Sequence, residues 1–390
     1  MSDTWRPNSH SHRRERVVSL VAVVSTFALT FISCRDHSTR WSGKIEERDG
    51  IVVVENPASP IHRNAALSLE EDLSIGREDT GEEYLFSDIS GLDADDEGRI
   101  YVINQPDANV RIFDKNGVFL KTFGRKGLGP GEMEMPVYIQ IGAARDIFIF
   151  DYMGHRGLYF NSAGEFLRQQ PCLRTFMPIR MGSQGKIIGM EILAPPPLGG
   201  KVLKAYGTDL RPLFEIAKEE QGSKGIFDIG RPACYCVVKP DDSIVWGDSK
   251  EYILNILDSE GRQIRRITKP YDPVTISNED RESISKRYAN AVQHGMKVEF
   301  RSHYPAFAGI FADDSGRILV KTYERSESDK DSFYFDVFDP EGRFYAKVPI
   351  KLNLDRLSVW KNGKLYTHEM DPEGFPNIKR YTVVWSDEIR

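Results

Sequence analysis

The feature that most constrains the fold is a pattern of strands and turns that recurs along the chain. Each unit has a short apolar strand, a turn of Asp or Asn with Gly, a second apolar strand and a second such turn. Its clearest copy spans residues 89–120, with turns at 95–98 and 114–117. Gly permits the positive φ of a tight hairpin, and Asp or Asn bonds its own backbone there. The flanking alternation of apolar and polar residues indicates half-buried strands.

Further copies of the unit follow the first along the chain. They lie at residues 138–164, 179–216, 234–261, 308–342 and 356–385, of which the copy at 179–216 is degenerate and the last lacks a fourth strand. Six units of four strands predict an all-β fold, a six-bladed β-propeller with four-stranded antiparallel blades. We expect residues 44–54 to supply the missing strand, because such closure removes an exposed edge. Two or three separate β domains are the alternative.

The first 33 residues differ from the rest of the chain. Four arginines precede an uncharged run at residues 17–32, which ends at Ser33 and Cys34. The run is shorter than the roughly 20 residues of a membrane span and is typical of a signal peptide. The junction resembles the lipobox of bacterial lipoproteins, in which the Cys becomes N-terminal and carries diacylglycerol, although Phe31 departs from the preferred Leu. An uncleaved anchor helix or ordinary secretion is the alternative.

This interpretation divides the chain into a signal peptide (1–33), a polar tether (34–43) and the propeller (44–390). We expect a monomer in the bacterial cell envelope, held to the membrane by the lipid on Cys34. In enteric bacteria an Asp after the lipidated Cys favours the inner membrane, so Arg35 favours the outer one.

The chain has 52 basic and 58 acidic side chains. That balance argues against nucleic acid as a partner, which requires a basic surface.

A glycine-rich run follows the first clear unit, Phe-Gly-Arg-Lys-Gly-Leu-Gly-Pro-Gly-Glu-Met at residues 123–133. With this run and the blade turns, residues 50–390 resemble the NHL-type six-bladed propellers, especially bacterial lipoproteins. The third unit departs from the pattern, because residues 194–200 are inserted there. The resemblance implies the fold and a cell-surface or periplasmic location, and it implies no single shared reaction.

The predicted loops are unequal at the two ends of the blades. The turns that join the first to the second and the third to the fourth strand are short; they form what we call the short-turn rim. The other connections are long and form the long-loop rim, where we expect a ligand to bind. The candidate ligand-face residues are Arg125, Lys126, Asp151, His155, Arg156, Arg180, Asp248, His303, Tyr304 and His368. Four of these, Arg125, Lys126, Arg156 and Arg180, would form a basic patch for an anionic glycan or peptide.

The longest connection predicts a helical insertion at residues 275–293, between blades four and five. Ser277 and Asp280 have the spacing of a capping box at the start of a helix from Asn278 to about Gln293. Ile284, Tyr288 and Val292 make an i, i+4, i+8 stripe. We expect this stripe to pack on the ring, as a rim or a partial lid.

Gluconolactonase-like and amidating-lyase propellers hold a metal in the central channel, and comparable residue types occur on the long-loop rim. These residues are Asn104, Asp151, His155, Asp248, His303 and His368. They would have to converge near the axis to bind Ca or Zn. Asp151 and Asp248 have a structural interpretation as well, in which they tie down the loops after their strands.

The remaining cysteines offer little chemistry. Cys234 and Cys236 are two residues apart in a strand, a geometry that disfavours a mutual disulfide. Cys172 is a possible partner for one of them, and buried thiols are the default.

From the fold, the loops and the candidate residues together, we predict a binding scaffold for a peptide, glycan or envelope protein, without catalysis, catalytic residues or a cofactor. The alternative is a metal-dependent hydrolase or lyase with Ca or Zn in the channel.

Overall fold

The computed structural model describes residues 41–76, 81–142, 145–172, 176–182, 185–193, 200–220 and 222–386. The predicted signal peptide, Cys34 and most of the tether lie outside the described residues. Most of the predicted insertion at residues 194–200 lies outside them as well.

The described strands form six four-stranded blades, each built from the channel outward. Three strands precede the first complete blade: β1 (Lys44–Arg48), β2 (Ile51–Glu55) and β3 (Ala66–Ile75). Blades one and two contain β4 (Ile89–Ala94), β5 (Ile100–Asn104), β6 (Asn109–Phe113), β7 (Phe119–Phe123), β8 (Pro136–Ile141), β9 (Ile147–Asp151), β10 (Arg156–Phe160) and β11 (Phe166–Pro171). The six-bladed propeller predicted from the repeat is confirmed.

The third and fourth blades are joined by a loop that carries one more strand. They contain β12 (Phe176–Met181), β13 (Ile187–Ile192), β14 (Lys201–Tyr206), β15 (Pro212–Glu219), the loop strand β16 (Ile226–Ile229), β17 (Cys234–Val238), β18 (Ile244–Asp248), β19 (Ile253–Leu257) and β20 (Gln263–Thr268). The helical insertion and the last two blades follow: α1 (Asn278–Arg287), α2 (Ala289–Gln293), β21 (Lys297–Phe300), β22 (Gly309–Ala312), β23 (Ile318–Arg325), β24 (Phe333–Phe338), β25 (Phe344–Ile350), β26 (Val359–Lys361), β27 (Lys364–Met370) and β28 (Pro376–Ser386).

The ring is closed by β3, which pairs antiparallel with β28 as the outer strand of blade six. The expectation that residues 44–54 close the ring is therefore wrong. Instead β2 pairs in parallel with β20 at the outer edge of blade four, and β1 folds back on β2. Val54 of β2 is fully buried in the apolar core shared by blades four and five. Strand β2 thus covers the outer edge of blade four, while β3, the longer strand that follows it, completes the ring.

The core consists of six apolar clusters, one between each pair of neighbouring blades in the described chain. The cluster between blades six and one joins Ile75 and Phe113 to Tyr366. The cluster between blades one and two packs Phe123 against Phe160, with ring centroids 5.0 Å apart. Each blade therefore buries both of its faces against neighbours, as a closed ring requires.

Glycine in two of the outer turns lets a blade approach the one before it. Gly164, between β10 and β11, has φ +70°, and a Cβ there would lie 2.7 Å from the ring of Phe123 in blade one. Gly342, between β24 and β25, has φ +88°, and a Cβ there would lie 2.7 Å from Ile267 in blade four. These turns therefore need Gly for two reasons, the left-handed backbone and the close contact between blades.

The helical insertion begins where the sequence predicts it. Ser277 and Asp280 form a complete capping box at the start of α1. The predicted single helix is two, because the chain leaves the helical path at Tyr288. The expectation that the stripe packs on the ring is wrong, since neither helix has a buried residue and Val292 is 47% exposed. Tyr288 contacts Phe227 of β16 instead, with ring centroids 4.5 Å apart.

The two long loops beside blade four are joined to each other. The strand β16 pairs in parallel with β21, and the side chain of Arg301 forms an ion pair with Asp228 at 2.8 Å.

No helix among the described residues is long and apolar enough to cross a membrane. No disulfide joins Cys172 to Cys234 or Cys236, so the possible pairing of Cys172 with one of them is not formed. Burial raises the pKa of Cys234 to about 11.

Candidate functional site

The short-turn rim is held by aspartate and asparagine side chains. In blade one, Asp95 Oδ1 accepts hydrogen bonds from the backbone N–H groups of Glu97 and Arg99, at 3.0 and 2.9 Å. Asn161 makes the same contacts with Ala163 and Glu165 in blade two. These side chains take part in the turn itself, which confirms the role predicted from the pattern.

Asp151 and Arg156 form a buried tie on the long-loop rim of blade two. The carboxylate of Asp151 is fully buried and accepts from the backbone N–H of Met135 at 2.7 Å and from Arg156 Nε at 3.1 Å. The guanidinium of Arg156 also donates to the carbonyl groups of Gly127 and Leu128. Asp151 therefore has the structural role that we weighed for it, and Arg156 orders the glycine-rich loop.

The basic patch expected from four residues is not formed as an open surface. Arg156 is buried in the tie just described, and Arg125 is exposed but paired with Glu132 at 2.7 Å. Lys126 is exposed on the same loop. Arg180 lies on β12, the innermost strand of blade three, where its charge acts on Asp93. The physical reason is that two of the four cations have partners within the fold. Arg156 binds the Asp151 carboxylate and the loop carbonyl groups, and the charge of Arg180 acts on Asp93.

Four of the six residues considered as metal ligands have local hydrogen-bond partners: Asn104, Asp151, Asp248 and His303. The side chain of Asn104 accepts from the N–H of Ser87 at 3.1 Å, and Asp248 accepts from the N–H of Lys250 at 3.0 Å. The exposed His303 contacts the hydroxyl of Ser302 at 2.9 Å. The exposed His155 has a left-handed backbone with φ 48°. Across the described parts of the chain, no three His, Cys, Asp or Glu side chains are grouped as ligands of a metal ion.

His368 lies on β27, the second strand of blade six. Its Nε2 is buried and has no hydrogen-bond partner among the described residues. Burial lowers the pKa of His368, and the carboxylates of Asp355 and Asp88 act in the opposite direction. The imidazole is therefore held toward its neutral form.

The channel wall contains an acid that the sequence did not single out. Asp93, on the innermost strand of blade one, accepts from the backbone N–H of Ile141 in blade two at 2.7 Å. Burial raises the pKa of Asp93 to about 6, although hydrogen bonds and the charges of Arg180 and Lys361 act in the opposite direction. A carboxylate within the otherwise buried strand β4 was the available signal, and its spatial neighbours were not visible in the sequence.

A cleft between blades four and five, at the long-loop rim, is the best candidate for a binding site; we call it the interblade cleft. Its floor is formed by Asp336, which is fully buried, with Tyr252 and Lys269. The hydroxyl of Tyr252 donates to Asp336 Oδ2 at 2.6 Å, and Lys269 Nζ lies 3.1 Å from the same oxygen. Sequence reasoning missed all three, because they come from separate blade strands and loops.

Tyrosine side chains surround the mouth of the interblade cleft. The rings of Tyr304 and Tyr323 are stacked, with centroids 4.3 Å apart and planes 5° from parallel. Tyr323 also shares a hydrogen bond with Tyr235, which lies on the innermost strand of blade four. Tyr271 lines the cleft directly. Of the predicted ligand-face residues, Tyr304 is the one that the structure places beside this cleft.

Comparisons with known proteins agree with the architecture. The DUF5128 family, described as a 6-bladed beta-propeller, matches residues 78–182. Comparison with curated proteins gave no match.

Several solved structures are similar to the chain in fold. A Bacteroides fragilis protein described as exported is 12% identical, over 86% of this chain and 99% of that one, with a TM-score of 0.48. A member of the DUF4221 family from Bacteroides vulgatus is 10% identical, over 82% and 99%, also with a TM-score of 0.48. Virginiamycin B lyase from Staphylococcus aureus is 10% identical, over 82% and 100%, with a TM-score of 0.40.

Proposed function

We propose that this propeller is an exported, membrane-anchored scaffold that binds a peptide, glycan or envelope protein on its long-loop rim, without catalysis. The observation that carries the proposal is the interblade cleft, where a fully buried carboxylate meets partly exposed tyrosines. Tyrosine supplies large contact area with few rotatable bonds and a polar tip, which suits a recognition surface.

The other polar groups of this rim support a scaffold. Asp151 and Arg156 are used to order the loop before β8, and Asp248 holds the loop after β18. A rigid rim costs little ordering entropy when a ligand binds. The same rim therefore combines firm loops with one recessed site.

The location rests on the N-terminal sequence. A signal peptide at residues 1–33 followed by Cys34 would leave a lipidated N-terminus and place the propeller in the cell envelope, on the outer membrane. Replacement by Cys34→Ser should release the chain from the membrane fraction, as measured by fractionation and intact mass. Membrane association that survives this change would contradict the lipid anchor.

The binding role is tested by comparing the two rims. Detergent-solubilised wild-type protein is purified from envelopes beside Asp272→Lys and Tyr304→Ala on the long-loop rim and Asn116→Lys on the short-turn rim. Bound protein is identified by mass spectrometry and bound sugar by composition analysis. We expect one ligand to be retained by the wild type and by Asn116→Lys and to be lost from the other two. Equal retention by all variants, or loss from Asn116→Lys alone, would contradict the proposal.

A further inference from the structure

One polar atom in the interblade cleft has an unmet hydrogen-bonding capacity. Asp336 Oδ2 is satisfied by Tyr252 and Lys269, at 2.6 and 3.1 Å. Its Oδ1 is buried and has no partner among the residues that the structure describes. A buried acceptor without a donor is costly, and a charged one more so. A donor supplied from outside the chain would therefore be stabilised at this point.

The cleft limits the size of that donor. It encloses a cavity of about 10 Å³, which is enough for one group of the size of a water molecule. A hydroxyl or an ammonium nitrogen fits this space. A planar guanidinium and a sugar ring are both larger than the cavity. The structure thus selects a slender ligand with a small donor at its end.

The charges of the cleft favour a cation over a neutral donor. Its lining includes three carboxylates, Asp272, Glu324 and Asp336, against one cation, Lys269, and Glu324 is itself paired with Lys347, which lies outside the lining. Asp272 is exposed and lies at the open end, where it would attract a positive group from solvent.

Aromatic rings strengthen the preference for an ammonium. The cleft already contains one ammonium group of the chain itself, because Lys269 Nζ lies 4.9 Å from the ring centroid of Tyr252 and 4.8 Å from that of Phe344. Tyr271 and Tyr323 line the same cavity and are partly exposed. A second ammonium would meet the same combination of carboxylate and ring faces on the free side of Asp336.

We infer that the interblade cleft receives the terminal ammonium of a lysine side chain from a peptide or protein partner. Asp336 Oδ1 accepts its hydrogen bond, and the alkyl stem lies along Tyr271 and Tyr323. This inference rests on the proposed function, because it names the partner class for that rim. A glycan, which would offer neutral hydroxyl groups, is a different ligand and is an outcome of the test.

The test uses ligand-observed NMR with the purified protein. The probe is Nα-acetyl-lysine methylamide, and its matched neutral form carries an additional acetyl group on Nε. We expect the amine to bind and the neutral form to bind at least about tenfold more weakly, because it has lost the charge-assisted hydrogen bond. The exposed Asp272→Asn variant should weaken amine binding about threefold. Glu373→Gln, an exposed change on the same rim in blade six, should leave it unchanged.

Three results would overturn the inference. In the same NMR measurement, with N-acetylglucosamine added as a third probe, they are equal binding of the amine and its neutral form, binding of N-acetylglucosamine in place of the amine, and binding of none of the three. In each case the rim comparison of the proposed function still gives its own answer. Loss of the natural ligand from Asp272→Lys without amine binding would leave the scaffold role standing.

Discussion

At the scale of single residues, the buried charges of the long-loop rim are structural ties. Asp151 is fully buried, and the side chain of Arg156 is 7% exposed. Breaking a buried pair by removing one partner leaves an uncompensated charge. The sequence indicated both residues as candidates for a ligand face, but the tie requires contacts with a loop that lies 16 to 29 residues earlier in the chain.

We predict that Arg156→Ala lowers the free energy of unfolding by about 3 kcal/mol, because the Asp151 carboxylate would lose its buried counter-charge. Arg125→Ala is the control, since its side chain is 80% exposed, and it should cost less than about 1 kcal/mol. Urea unfolding followed by fluorescence measures both. Equal costs would show that Arg156 is not a tie.

Asp93 should make stability depend on pH. Its pKa is about 6 in the folded protein, against 3.8 for an ordinary Asp. Between these values the folded state binds more protons than the unfolded state, so the free energy of unfolding falls as pH rises from about 4 to about 6. We predict that Asp93→Asn removes this decline, as measured by urea titrations across that range. The exposed Asp49→Asn should leave it in place, and an unchanged decline in Asp93→Asn would contradict the assignment.

At the scale of elements, ring closure depends on β3 and not on β1 or β2. Ile75 at the end of β3 is 2% exposed and belongs to the core between blades six and one. Ile45 on β1 is 48% exposed.

We predict that Ile75→Asp costs more than about 3 kcal/mol, because it buries an unpaired charge at the closing strand. The matched Ile45→Asp should change stability by no more than about 0.5 kcal/mol. Thermal unfolding followed by circular dichroism compares the two. A similar loss in both variants would argue against β3 as the closing strand.

Much of the fold follows from local patterns, and the rest depends on distant pairing. The Asp and Gly turns and the capping box at Ser277 are local, so the sequence predicts them well. The choice between β2 and β3 is not local, because both strands precede the first blade and their partners, β20 and β28, lie far along the chain. The floor of the interblade cleft was invisible for the same reason: Lys269 and Asp336 meet across two blades.

At the scale of the whole molecule, the two rims of the ring differ in the length of their loops. The short-turn rim satisfies its polar groups within each hairpin. The long-loop rim carries the helices, the pairing of β16 with β21, and the interblade cleft.

The most direct test of the account is site-specific photocrosslinking in living cells. A benzophenone amino acid is placed at position 272 on the long-loop rim or at position 116 on the short-turn rim, both of which are exposed. We predict a discrete crosslinked product from position 272 and none from position 116. A product from position 116 alone, or identical products from both positions, would contradict the claim that the long-loop rim binds the ligand.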